Sequence, residues 1–413
     1  MKTNLSKFGG LTLILVLAVA GIWWLTSKSD PVGGLKSTIS TPPAGQFVSR
    51  RAEFAGSQSC RECHETHFDN YTQTSHYHTS SAPEEGLVKG HFSGERATYE
   101  VNAGFRMVLT REDGKFRQHI QSTEYAPFHQ DIDVVIGAGV YAQSSAGWEG
   151  SKLVRLQAHY LTPADHWTLN PGTDPVPTRL LVSNRCLECH ATYFEPDPAV
   201  TPAFNQNHRS IHHNQDNFML KMHCEKCHGP AQAHVDYFKN PQPDVDFAKL
   251  IVNPAKLDRE RQIQVCGLCH SGVGELLAPS FTYQPGDDLT KFIRFDEDEL
   301  AGAGLHSNNI YLLKQSRCFQ ASETMTCSTC HDSHRNQRGD LRAYSQSCLQ
   351  CHQSNDCPQE TRLGANIADN CIDCHMPKQP DDRFAYDIDG KTYKFDLRTH
   401  LIKPYPLPAG EAR

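Results

Sequence analysis

The sequence is poor in apolar residues and lacks an excess of basic charge. Hydrophobic residues make up 38% of its 413 residues, which is lean for a chain long enough to form two or three domains. Lys and Arg number 40 against 47 Asp and Glu, and this negative balance argues against a nucleic-acid partner. Cysteine, at 16 residues, is too sparse for a small disulfide-stapled scaffold. We therefore expect something besides apolar side chains to fill the core.

Most of the cysteines belong to one repeated pattern, Cys-x-x-Cys followed at once by histidine. The seven pairs are Cys60/Cys63, Cys186/Cys189, Cys224/Cys227, Cys266/Cys269, Cys327/Cys330, Cys348/Cys351 and Cys371/Cys374, followed by His64, His190, His228, His270, His331, His352 and His375. Such a pair can form thioethers to the two vinyl groups of a haem, and the histidine can ligate its iron. Zinc knuckles and redox thiol pairs are the alternatives, but neither needs a histidine after every pair. The pattern predicts seven covalently bound c-type haems.

The spacing of the motifs predicts that these haems lie close together. Motifs 2 to 7, numbered in chain order, span residues 186–375. That leaves roughly 32 residues for each haem, too few to insulate one large planar cofactor from the next. We therefore expect the rings to pack against each other as an electron conduit.

A six-coordinate haem also needs a distal ligand. Of the 23 histidines, 16 lie outside the motifs, whereas methionine numbers only six, so bis-histidine ligation is expected. The candidates lie near motifs or in apolar settings: His76, His78, His212, His234, His306, His334 and His400. Spacing alone does not assign them to individual haems.

The N-terminus carries a long uncharged stretch, Phe8 to Ser27, preceded by Lys2 and Lys7. Its length and its basic flank predict a helix that anchors the chain in the cytoplasmic membrane, with the haem domain facing the periplasm. A cleaved signal peptide is the alternative. We expect the anchor at 1–27 and a flexible linker, rich in Ser, Thr, Pro and Gly, at 28–50.

The rest of the sequence predicts a mainly α multihaem cytochrome c, with long loops ordered by haem contact and a small β-rich insert. Residues 51–185 would hold the first haem site and the insert, at about 92–170, followed by a hexahaem domain at 186–402 and a tail at 403–413. Strand-like stretches in the insert are Phe105–Leu109, Lys115–Ile120, Asp131–Ile136 and Leu153–Leu161. Helices are expected at Ala255–Val265 and Gln359–Asp369, each leading into a motif.

Two cysteines, Cys318 and Cys357, stand outside the motifs. In an oxidising compartment they could form a disulfide that brackets the fifth and sixth motifs. A pair of buried reduced thiols is the alternative.

Several phrases around the motifs resemble the cytochrome c554-like multihaem cytochromes, relatives of the hydroxylamine oxidoreductase group. They are 56–64 with Phe68, Tyr71 and His76; 136–139 with Tyr160; 227–234; 325–334; and 374–378. The resemblance implies that His76 is a distal ligand and that a β-rich insert precedes the second haem. The best-known members carry four or eight haems, so their ligand assignments do not transfer to seven motifs. The group includes both carriers and enzymes.

Three classes of function follow from these patterns. The leading hypothesis is a membrane-anchored electron carrier whose negative charge steers a redox partner protein with a basic face. The alternative is an oxidoreductase of a small nitrogen or sulfur compound, acting at one haem with an open distal position. No Cys-x-x-Cys-Lys motif is present, which weakens that alternative. A filament-forming cytochrome is the third.

Overall fold

The computed structural model describes residues 49–171, 180–197, 212–241, 250–296 and 308–406, together with residues 243, 246 and 300. The helices in these ranges are short, from four to 15 residues. They are α1 (Ser57–Tyr71), α2 (Asn184–His190), α3 (Glu225–His228), α4 (Gln232–Lys239), α5 (Arg259–His270), α6 (Asn309–Lys314), α7 (Arg317–Ala321), α8 (Leu341–Cys348), α9 (Glu360–Leu363) and α10 (Ile372–His375). Among the 3-10 turns, Cys327–Thr329 and Ala365–Asp369 matter most for the motifs.

The strands occupy three regions of the chain. They are β1 (Ser80–Ser81), β2 (Thr98–Asn102), β3 (Phe105–Glu112), β4 (Lys115–Ser122), β5 (Phe128–Asp131), β6 (Val134–Ile136), β7 (Ala142–Glu149), β8 (Lys152–Leu161), β9 (His166–Leu169), β10 (Leu180–Leu181), β11 (Glu275–Leu276), β12 (Ile293–Arg294), β13 (Lys378–Ile388) and β14 (Lys391–Arg398). The strand pairs in the described ranges are antiparallel, and many of them are neighbours in the chain joined by tight turns.

The first region forms two sheets that pack face to face. A four-stranded sheet has the order β2-β3-β4-β5, and a six-stranded sheet has the order β1-β6-β7-β8-β10, with β9 paired to β8. Alternating residues of β3, such as Met107 and Leu109, are fully buried against Leu156 and Trp167 of the larger sheet. Between the sheets, the Gln118 side chain donates to Gln157 at 2.7 Å, which satisfies two buried amides.

The larger sheet has a second partner on its opposite face. Ala146 and Leu153 pack there against Leu187 of α2 and against Phe194. The sheet is therefore a wall between the four-stranded sheet and the segments that carry the motifs.

The expectation of a mainly α fold with one small β insert is wrong. Of the residues that the structure describes, 31% are helical and 26% lie in strands. The predicted strands fall within β3, β4, β5, β6 and β8, but they build two packed sheets, and the hairpin β13–β14 adds a third β element near the C-terminus. The helices are too short to dominate the fold, and those that contain a whole motif end at the motif histidine or within seven residues of it.

The predictions of a transmembrane helix and of a cytoplasmic-membrane location also need correction. Across the described ranges, no helix combines the length and the apolar character that crossing a bilayer requires. The segment Phe8–Ser27, on which both predictions depended, lies outside these ranges. We withdraw both predictions.

Candidate functional site

Every Cys-x-x-Cys-His motif lies on a single helical turn or at the edge of one. Motifs 1, 2 and 4 lie within α1, α2 and α5, motifs 3 and 7 begin one residue before α3 and α10, motif 5 starts a 3-10 turn, and motif 6 starts at the last residue of α8. Residues three and four apart share one face of a helix, so this conformation presents both thiols and the imidazole to the same side.

Six of the seven motifs open onto one cavity. Its volume is about 3530 Å³. Both cysteines and the histidine of each of motifs 2 to 7 line it, including Cys224, Cys227 and His228 of motif 3. A pocket for one small molecule usually measures about 300–1,000 Å³. The cavity therefore has room for several large groups in contact with one another.

Motif 1 differs from the other six, although its sequence gives no sign of this. None of Cys60, Cys63 and His64 lines the shared cavity, although Cys63 is predicted to form a thioether like every other motif cysteine. Cys63 is exposed, as are Cys186 of motif 2 and Cys351 of motif 6. The backbone of α1 is kinked at His64, whose φ of −118° and ψ of 42° are not helical. The structure thus does not place Cys63 in the cavity that the other six motifs share. The thioether between Cys63 and a haem stays a prediction. That haem would lie on the solvent-facing side of α1.

Motif 1 is joined to motif 3 by a buried carboxylate. Glu225, 2% exposed, accepts hydrogen bonds from the backbone N–H groups of Ala55 at 2.8 Å, Gly56 at 2.9 Å and Ala231 at 3.0 Å. The Cys60 thiol of motif 1 is hydrogen-bonded to the Cys224 thiol of motif 3, which raises the pKa of Cys60. The two motifs are thus fixed edge to edge.

Motifs 2 and 4 are joined by a buried arginine. Arg185 forms a 3.0 Å ion pair with Glu188, and both side chains are 3% exposed. Its Nη2 donates to the carbonyl of Leu268 at 3.2 Å, directly beside Cys269. Next to it, the thiols of Cys189 and Cys269 are hydrogen-bonded to each other.

Motif 4 also touches motif 5. The thiols of Cys266 and Cys327 are hydrogen-bonded, and this contact and burial raise the pKa of Cys266. Arg259, at the start of α5, donates to the carbonyls of Met325 and Phe319, both at 2.9 Å. These bonds tie the helix of motif 4 to the segment that leads into motif 5.

The last three motifs are also neighbours. Burial raises the pKa of Cys348 to about 11, and the nearby thiols of Cys371 and Cys330 add to the effect. The Cys371 backbone N–H donates to Ser345 Oγ at 2.9 Å, which joins motif 7 to the helix of motif 6. Motif 6 therefore lies beside both motif 5 and motif 7.

The motif histidines have the environment that a metal ligand needs. His228 Nδ1 is 2.9 Å from the carbonyl of Val252, and His190 Nδ1 is 3.3 Å from that of Thr79. A carbonyl on Nδ1 fixes the tautomer that leaves Nε2 free to bind a metal. Burial lowers the pKa of His190, His228 and His331, which keeps these imidazoles neutral. The residues present therefore fit a c-type haem at these motifs.

Three of the candidate distal histidines face a motif histidine. The ring centres are 6.1 Å apart for His76 and His270, 6.0 Å for His228 and His334, and 6.2 Å for His331 and His400. Two imidazoles that bind one metal from opposite sides, each at about 2 Å, have centres about 6 Å apart. His234 lies near His64, and its Nδ1 is buried without a hydrogen-bond partner.

The other predicted site residues are not brought together in this way. His78 Nε2 lies 2.8 Å from the carbonyl of Thr72, and His212 Nδ1 lies 2.8 Å from Ser151 Oγ, so each has another partner. His306 lies outside the described residues. Cys318 and Cys357 both line the cavity as free thiols, and their disulfide stays a prediction.

Sequence reasoning overlooked several residues that build the site. Glu225, Arg185 and Glu188 lie inside or directly beside motifs, where attention to buried charge could have found them. His67 lies 4.9 Å from His334, between ring centres, three residues after the motif 1 histidine. Arg155, on β8, lines the cavity, and nothing in the sequence pattern distinguishes it from other strand arginines.

Comparison with known proteins concerns the fold. No family model matches the chain, and no curated protein matches its sequence. A solved structure, described as the crystal structure of outer cell wall cytochrome OcwA, is similar over 85% of this chain and 80% of that chain, with a TM-score of 0.54 and 16% identity. The chain therefore shares its fold with a cytochrome.

Proposed function

We propose that this protein is a heptahaem c-type cytochrome that carries electrons along a row of closely packed, mostly bis-histidine haems. The observation that supports it best is the single cavity lined by six Cys-x-x-Cys-His motifs, with thiols of different motifs in direct contact. When bound, the haem irons would take up and release single electrons. We also propose that the chain is a distant member of the cytochrome c554-like group.

The order of the motifs in space differs from their order in the chain. Direct thiol contacts join motif 1 to 3, 2 to 4 and 4 to 5. Charge effects between thiols add the pairs 3 and 4, 5 and 6, and 6 and 7. We infer a row 1–3–4–5–6–7, with motif 2 as a branch at motif 4.

The protein's own residues hold this arrangement and set its electrostatics. We propose that the motif cysteines supply the thioethers and the motif histidines the proximal ligands. On the distal side, we propose His76 for motif 4, His334 for motif 3, His400 for motif 5 and His234 for motif 1. Redox partner proteins, not yet identified, would deliver and remove the electrons.

Intact mass spectrometry of the mature holo-protein tests the haem count. We expect the mass of the polypeptide plus seven haems, and six haems in a Cys60→Ala/Cys63→Ala variant. Fewer than seven haems in the unmodified protein would overturn the assignment, and a site at motif 1 would be the first to doubt because this motif lies outside the shared cavity. A colourless protein would overturn the function altogether.

One observation favours the second candidate function, an oxidoreductase of a small nitrogen or sulfur compound. Among the ring contacts of the described residues, none places a second imidazole against His190, His352 or His375, of motifs 2, 6 and 7. An iron at one of these positions would then keep an open distal side, as catalysis at a haem requires. Electron paramagnetic resonance separates the two functions. Only low-spin signals would favour the carrier, whereas a high-spin ferric signal that shifts with nitrite or hydroxylamine would favour the enzyme.

A further inference from the structure

Arg155 is a partly buried cation on the wall of the cavity. It lies on β8, between Ala146 of β7 and Leu180 of β10 in the sheet, and it borders the space beside motif 2. Its Nη2 donates to the carbonyl of Pro171 at 2.6 Å. Its Nε is buried and makes no hydrogen bond. In the described part of the chain, no carboxylate pairs with it, and the Cys186 thiol is the acidic group that acts on its pKa.

A partly buried guanidinium whose Nε is buried without a hydrogen-bond partner is unfavourable. Burial lowers the pKa of Arg155, but arginine stays protonated in proteins, so an anion bound beside it would stabilise the charge. Arg185, which is fully buried, has such a partner in Glu188. Among the described residues, no carboxylate is paired with Arg155 in the same way.

The side chains around Arg155 are polar but neutral. Ser144 Oγ lies 2.9 Å from His159 Nδ1, and the hydroxyl of Tyr386 lies 3.2 Å from His159 Nε2. Burial, with a contribution from Arg155, lowers the pKa of His159 to about 4, so the imidazole is uncharged near pH 7. All three side chains line the cavity. They can orient a polar group there, but they bring no negative charge.

We propose that Arg155 anchors an anion site beside motif 2, which takes a carboxylate or a small planar oxyanion. The fork of guanidinium N–H groups matches the two oxygens of such a group. The anion has two possible sources, a propionate of a bound haem or a small oxyanion from solution. The proposal rests on the haem-loaded cavity of the proposed function.

The experiment compares holo-protein variants R155Q and R155K with R106Q. Arg106 is an exposed arginine on β3 that pairs with Glu100, and it serves as the matched control. Nitrite is titrated while the visible spectrum is recorded, and haem midpoint potentials are measured by spectroelectrochemistry without nitrite. If the anion comes from solution, the wild type binds nitrite saturably, R155Q binds it at least about tenfold more weakly, and R155K lies between them.

If the anion is a propionate, nitrite has no saturable effect, and R155Q changes the midpoint potential of one haem while R155K changes it less. The proposal is overturned if R155Q behaves like R106Q in both measurements. It is also overturned if D174N reproduces the R155Q shift, because the chain itself then supplies the counter-ion from 172–179. Haem counts by mass are recorded for each variant. A wild-type count below seven would contradict the proposed function and not the anion site alone.

Discussion

At the scale of single residues, a few buried polar side chains position the motifs. Glu225 fixes motif 1 against motif 3, and Arg185 with Glu188 fixes motif 2 against motif 4. Each satisfies backbone groups of a distant segment, so its removal leaves donors or acceptors unpaired in the interior. These contacts bring together segments that are more than 80 residues apart in the chain.

Glu225→Ala should destabilise the holo-protein by about 3 kcal/mol, because three backbone N–H groups, one buried and two partly buried, lose their acceptor. Glu225→Gln should cost less, since one side-chain oxygen remains. Urea unfolding followed by far-ultraviolet circular dichroism measures the effect. Glu62→Ala, on the exposed surface of α1, is the control, and equal midpoints for it and Glu225→Ala would contradict the role assigned to Glu225.

His400→Ala should create a high-spin ferric signal, because it removes the imidazole that faces His331 at 6.2 Å. His78→Ala should leave the spectrum low-spin, since His78 Nε2 already faces a backbone carbonyl at 2.8 Å. Electron paramagnetic resonance of the oxidised variants, with equal haem content, checks both outcomes. A low-spin spectrum for His400→Ala would remove His400 from the ligand assignment.

At the scale of elements, the larger sheet is the wall that shapes the site. One face packs on the four-stranded sheet, and residues of β7 and β8 border the cavity. Gly90, in the segment between β1 and β2, shows how closely this segment approaches the larger sheet. Its φ is +111°, and a Cβ there would come within 2.3 Å of the indole of Trp167, which is 1% exposed.

Gly90→Ala should therefore destabilise the sheets by roughly 3 kcal/mol, from steric overlap and an unfavourable positive φ. Gly86→Ala is a matched control, because its φ is +84° but nothing lies within 4 Å of the added Cβ. That variant should cost only about 1 kcal/mol. Chemical unfolding followed by far-ultraviolet circular dichroism compares them, and similar losses would show that Trp167 is not tightly packed against residue 90.

The elements also show what could be predicted from the sequence. The Cys-x-x-Cys-His motifs and the strands β3, β4 and β8 are local patterns, visible as spacing or alternation. The hairpin β13–β14 was not predicted, because Asp381, Asp382 and Arg383 interrupt the alternation where the pairing shifts register. The pairing of motif 1 with 3 and of 2 with 4 depends on contacts made by Glu225 and Arg185, which no local pattern reveals.

The position of motif 1 outside the shared cavity could not be predicted either. Cys63 stands in the same five-residue pattern as the other motif cysteines, so the sequence treats all of them alike. Its position outside the shared cavity depends on where α1 lies in the fold, which is a property of distant contacts and not of the motif.

At the scale of the whole molecule, motif 4 is the junction of the row. Its thiols contact those of motifs 2 and 5, and the thiol of Cys227 in motif 3 acts on Cys266. Motif 2, in contrast, has direct thiol contact only with motif 4 among the contacts described. The loss of one motif should therefore have an effect that depends on its place in the row.

Cys266→Ala/Cys269→Ala, which removes motif 4, should slow the redistribution of electrons between the two ends of the row after rapid reduction. Cys186→Ala/Cys189→Ala, which removes the branch at motif 2, should leave that rate close to the wild-type value. Pulse radiolysis followed by visible absorbance measures the rate in variants that both retain six haems. Equal rates in the two variants would contradict the branched order.

The most direct test of a continuous row is an experimental density map of the mature holo-protein at a resolution that shows each macrocycle. The account predicts seven rings, with neighbours in contact in the order 1–3–4–5–6–7 and the second ring beside the fourth. Rings separated from one another by layers of polypeptide, or a different order of neighbours, would contradict it.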